Sequence, residues 1–140
     1  METELVELFE SCKPTLTKVL AKGHPESYIN LVKLLFRVLG ESSGNELLTN
    51  SIDIHQEIKV HDNGDGYSGS YLFVIYDTWE GFYVTAVDYG SCSCCDAIEA
   101  IREADEYDAE GNHTRTLSET QVKDYLALCL HLVQEARHFC

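Results

Sequence analysis

The stretch SCSCCD, residues 91–96, sets Cys92, Cys94 and Cys95 within four positions. Cys92 and Cys95 form a C-x-x-C pair, the spacing at which two sulfurs reach one metal ion or each other. The run before them reads as a strand and the run after them as a helix. With Ser93 as N-cap, Cys94 and Cys95 occupy the first helical turn, where backbone N–H groups stabilise a thiolate and lower its pKa from about 8.5. Asp88, Asp96 and Glu99 are close in sequence and act in the opposite direction.

Three chemistries compete for this cluster. A structural zinc site needs four ligands, so Cys92 and Cys95 would require two more from Cys12, Cys129, His131, His138 or Cys140, or from a second protomer. A thiol–disulfide or metal-dependent redox protein would use the same pair, but the thioredoxin-like form needs a βαβ setting that the remaining sequence does not supply. The third reading is packing, because cysteine is small, readily buried and suited to a corner where strand turns into helix. Cys129 fits that description on a core stripe, and Cys140 reads as a free terminal thiol. Arg102 stands seven positions after Cys95, one too many for a cysteine phosphate loop.

Other motifs carry less. HDNGDG partly matches a calcium loop through Asn63, Asp65 and Gly66, but His61 and Leu72 occupy positions that need carboxylates, and a hairpin turn explains it better. The six histidines form no His-x-x-x-His pair, and no G-x-S-x-G elbow, P-loop or dinucleotide fingerprint is present. No catalytic constellation emerges. Trp79, Phe82, Tyr83, Tyr89, Tyr71 and Tyr76 concentrate on the strand-like runs and read first as core; any exposed part would suit a protein partner.

The elements that must position these residues follow from periodicity. Leu5, Leu8, Phe9 and Cys12 give an amphipathic helix that Pro14 interrupts or kinks, with a second piece over Thr15–Lys22 and Gly23 as its terminator. Pro25 suits the first turn of the next helix, whose stripe is Ile29, Val32, Leu35, Phe36 and Leu39, widened by Leu31, Leu34 and Val38. Ile52, Ile54, Ile58 and Val60 alternate with Asp53, His55, Glu57, Lys59 and His61, the rhythm of a strand with one wet face. YLFVIY is apolar on both faces and so central. DTWEG, with Gly81 able to take positive φ, joins it to GFYVTAVDY. A helix from about Ser93 to Asp105 follows, then one marked by the capping box of Ser118 and Gln121 and the staple of Leu117 and Val122. The order α-α-β-β-β-α-α predicts one α+β domain over residues 1–140: N-terminal helices, a three-stranded antiparallel meander, and two C-terminal helices on one face of the sheet.

Composition limits the partners. With 24 acidic against 10 basic residues the formal charge is -14, which repels phosphate backbones and points away from direct nucleic-acid binding and toward a protein partner, basic if charge guides it. The mean hydropathy is -0.18, and no apolar run approaches the ~18 residues of a membrane span. METELVELFE lacks the basic start and apolar core of an export signal, so the expected compartment is the cytoplasm, where thiols stay reduced. The oligomeric state is left open.

FYVTAVDYGSCSCCDAIEAI, with QVKDYLALCLHLVQ further on, resembles small phage- and viral-type proteins carrying strand, Tyr-Gly-Ser-Cys-Ser-Gly-Cys-Asp, helix. Tyr89, Gly90, Ser91, Cys92, Ser93, Cys95 and Asp96 match that pattern, and Cys94 stands where it has glycine. The resemblance implies a viral or phage accessory protein and nothing catalytic. The expectation is thus a small acidic interaction protein whose Cys92/Cys95 corner is structural or holds a metal, zinc if any. The alternatives are the redox protein above and an acidic inhibitor or decoy of a nucleic-acid enzyme.

Overall fold

The computed structural model describes residues 2–41, 52–65, 67–78, 80–90, 96–103 and 117–139. The chain begins with α1 (Glu2–Leu20) and α2 (Tyr28–Glu41), continues through β1 (Lys59–Asp62), β2 (Gly69–Tyr76) and β3 (Phe82–Tyr89), and ends with α3 (Ala97–Glu103), α4 (Glu119–Glu135) and β4 (Arg137–Phe139). The α+β class holds, with helices from both ends of the chain beside the sheet. The three-stranded meander does not. Among the described residues the sheet has four antiparallel strands in the order β1-β2-β3-β4.

The added strand is β4, which leaves α4 through Ala136 and pairs Arg137, His138 and Phe139 with Val84, Tyr83 and Phe82. Three residues are too few to show a period of two, so nothing in the sequence rhythm distinguishes them from a fraying helix end. A side-chain clasp holds this strand. The Asp77 carboxylate accepts the Gly81 N–H at 3.0 Å and faces His138 Nε2 at 2.7 Å, with both acidic and imidazole side chains shut away from solvent. A carboxylate only accepts, so the proton of this contact sits on Nε2. Gly81 is required for space: a Cβ there would come within 2.7 Å of both Asp77 Oδ2 and the Phe139 carbonyl oxygen. Positive φ, the role foreseen for it, is recorded among the described glycines only at Gly69.

Two further expectations change. Pro14 does not divide the first helix, because it and Glu10 lie on the exposed face, where the carbonyl that loses its N–H partner can turn to water. Leu5, Leu8, Phe9, Leu16 and Leu20 are fully buried on the other face. At roughly 2 kcal/mol per fully buried side chain, their packing outweighs the ~3 kcal/mol proline penalty. The strand expected from Ile52 shrinks to β1. Ile52 makes only an isolated bridge to Asp77, and the Asp53 carboxylate then accepts the His55 N–H at 3.0 Å, closing a turn that competes with the ladder.

The core lies between the helices and one face of the sheet. Phe73, Ile75, Tyr83 and Val87 meet Phe9, Leu35, Phe36, Tyr125 and Leu132 there, and Thr85 donates to the Leu132 carbonyl at 2.6 Å. The capping box of α4 is present as read, with Ser118 Oγ accepting the Gln121 N–H at 3.1 Å and Gln121 Oε1 accepting the Ser118 N–H at 3.0 Å. No helix among the described residues is long and apolar enough to cross a membrane.

Candidate functional site

The helices stop short of β1. Val60 and Asp62 share the core side of the sheet with Phe73 and Tyr71, yet both are exposed. The gap between them and the starts of α2 and α3 is a cleft of about 360 Å³, lined among the described residues by Tyr28, Ile29, Val60, Tyr71, Tyr89, Asp96 and their neighbours. That volume is at the small end of ligand pockets.

Each wall has a local cause. Ser27 opens α2, its Oγ accepting the Asn30 N–H at 3.4 Å, and this sets Tyr28 on the buried side of the first turn. Asp96 opens α3, accepting the Glu99 N–H at 3.2 Å through Oδ1 and the Gly90 N–H at 3.1 Å through Oδ2. Tyr28 donates to Asp96 Oδ1 at 2.6 Å and accepts the Ile98 N–H at 3.3 Å. Burial, and then the Asp96 carboxylate, push the Tyr28 phenol well above its ordinary value, so it stays a donor. Tyr71 stands at the centre, stacked on Tyr89 with ring centroids 4.3 Å apart and 5.9 Å from Tyr28. Tyr89 is fixed from behind, donating to Asp62 Oδ1 at 2.6 Å.

The electrostatics have one sign. Glu26, Asp96 and Glu99 line the cleft, and no Lys, Arg or His is among its described lining residues. Two helix starts contribute at most about half a positive charge each. Three formal negative charges outweigh them, and the cleft is negative. Set against known proteins, the chain matches no family model, no curated protein and no solved structure. The site therefore rests on its geometry alone.

Cys92 and Cys95 lie outside the described residues, as do Cys94, Cys140 and Trp79. The five residues 91–95 connect Gly90 to Asp96, two cleft residues that are hydrogen-bonded to each other. The helix described beyond them is capped by Asp96, while Ser93, the expected N-cap, lies outside the described residues; the Ile98 and Glu99 amides already serve Tyr28 and Asp96. Four of the other proposed zinc ligands are described. Cys12 and Cys129 are buried and free, His131 is exposed, and His138 is committed to Asp77. Among the described residues no group of three or more His, Cys, Asp or Glu is placed to hold a metal. The HDNGDG segment makes a turn in which Asp65 accepts the Tyr67 and Ser68 N–H groups, which hold its carboxyl below the usual range.

Burial pushes the Cys129 thiol up to about 12, so it stays protonated and unreactive near neutrality. With Cys12 also buried, a thiol-specific chromogenic reagent applied briefly to the native protein at pH 8 is expected to titrate no more than four of the six cysteines. Denaturant should release the other two. Prompt reaction of all six would contradict the packing of α1 against α4.

The sequence reading missed Tyr28 and the cap that Asp96 makes. A signal for Asp96 existed in D-A-I-E, where Asp and Glu three apart mark a helix start. Nothing local announces Tyr28, which meets Asp96 from 68 positions away in the chain.

Proposed function

We propose that this chain is a small acidic interaction protein, the role its phage- and viral-type resemblance implies, and that the tyrosine cleft receives a lysine or arginine side chain of a basic protein partner. The observation that carries the reading is the pairing of aromatic walls with charged lining residues that, among those described, are all acidic. Tyrosine faces attract a cation through their ring quadrupoles, and carboxylates at the rim add direct charge attraction. Glu26 and Glu99 are exposed and available to a ligand, while Asp96 is held in place by Tyr28, Gly90 and Glu99 and sets the shape of the floor. Cys92 and Cys95, between Gly90 and Asp96 in the sequence, are given the part of a structural or zinc-holding element.

Isothermal titration with an end-blocked lysine tripeptide tests the reading. Binding is expected to weaken as salt rises, and roughly five- to tenfold in the Glu26→Gln/Glu99→Gln double variant, since each exposed pair contributes up to about 1 kcal/mol. Equal binding of an end-blocked glutamate tripeptide, or no loss in the double variant, would sink the proposal.

A further inference from the structure

β2 and β3 are apolar on both faces, a pattern that usually belongs to strands covered on both sides. Here, among the described residues, the helix layer covers one. Through the registers Val74↔Val84, Tyr76↔Phe82 and Phe82↔Phe139, the side chains of Leu72, Val74, Tyr76, Phe82, Val84 and Phe139 share the opposite face. All six retain solvent exposure, half of the full surface in the case of Phe139, and none belongs to the buried core. The rings of Phe82 and Phe139 are stacked with centroids 5.6 Å apart, and Tyr76 lies 6.3 Å from Phe82. Aromatic groups clustered at the centre of a patch are the usual anchors of a protein interface.

We infer that this face is the contact between two copies of the chain, docked sheet to sheet. Charge selects the occupant. The molecule carries -14 overall, so two copies repel wherever their acidic surfaces would meet. The open face is different: its register brings Lys59, His61 and Arg137 to the rim with Asp88, and Glu57 pairs with Lys59 at 3.8 Å, so its formal charges balance and two copies meet there without net repulsion. Two copies joined here keep their acidic surfaces outward. A basic partner, by contrast, gains nothing from this face and is drawn to the cleft on the other side of the sheet.

Size sets the strength. Eight-residue strands about 27 Å long, with apolar side chains spanning roughly 15 Å across them, offer on the order of 400 Å² of flat area. Rim residues raise this toward, without exceeding, the ~800 Å² per partner of a standard interface. An interface of this size suits a reversible dimer.

Sedimentation equilibrium of the full chain over a concentration series tests the inference. The mass is expected to rise from 15.8 kDa toward twice that value, and association to tighten with added salt, because salt screens repulsion between two acidic copies. Phe139→Glu should weaken it about tenfold or more with an unchanged circular-dichroism spectrum, since Phe139 is already half exposed; Val84→Lys, at the patch centre, should do the same. A protein that stays monomeric at the highest concentration, or a dimer indifferent to both substitutions, would overturn the inference. Cleft binding has the opposite salt dependence and its own variants, so each proposal fails on a separate result.

Discussion

Replacing Asp77 by alanine is expected to destabilise the protein by about 3–5 kcal/mol, the cost of breaking a buried polar pair by removing one partner. The carboxylate joins the β2–β3 turn to β4 through Gly81 and His138, with no access to water. Its loss strands the Gly81 N–H and the His138 Nε2–H in a dry interior. Among the described residues His138 Nδ1 already lacks a partner, so the ring finds no alternative acceptor among them. At roughly 3 °C per kcal/mol for a domain of this size, the melting temperature should fall by about 10 °C. Asp77→Asn retains an acceptor and should lose less. Thermal unfolding followed by circular dichroism checks both, and an Asp77→Ala protein melting within about 2 °C of the parent would show that β4 is held by other means. Tyr83 belongs to the same corner: burial, with the nearby Asp77 and Glu4 charges, pushes its phenol up to about 12.

Asp96→Ala should rank second, at about 3 kcal/mol. Loss of the α3 cap accounts for ~1 kcal/mol. The Tyr28 O–H and the Gly90 N–H, left without their acceptor in a largely enclosed place, account for the remainder at about 1 kcal/mol or more each. Tyr28→Phe removes one hydroxyl while leaving Asp96 its two backbone donors, and should cost roughly half as much. Urea unfolding with an unchanged m-value distinguishes them. If Asp96→Ala cost no more than an ordinary cap, Asp96 would not be the post on which the cleft is built.

How much of this was legible follows the range of each interaction. α2 and α4 could be read because their cause is local: the Leu31 to Leu39 stripe and the Ser118 and Gln121 capping box act within a few residues. β2 was legible as central because both of its faces are apolar. The sequence could not show that the described helices all lie against one of those faces, since that depends on where α1, α2 and α4 stack. β4 is three residues long and is fixed by a contact between positions 77 and 138. Tyr28 and Asp96 likewise meet only after the fold has formed. Ile52 to Val60 misled because alternation was weighed without Asp53, whose carboxylate ends the extended run. The Cys92/Cys95 pair was legible as a motif, and the chemistry of its thiols turns on neighbours that spacing does not reveal.

The most direct measurement is an NMR titration of the isotopically labelled protein with the end-blocked lysine tripeptide. The account requires shift changes concentrated at the Gly90, Ile98 and Glu99 amides and the Tyr71 ring, declining together as salt increases. Changes scattered over exposed acids such as Glu7, Glu10 and Glu119, with the cleft signals unmoved, would mean that the negative charge of this protein attracts cations only diffusely and that its tyrosine cleft is not a binding site.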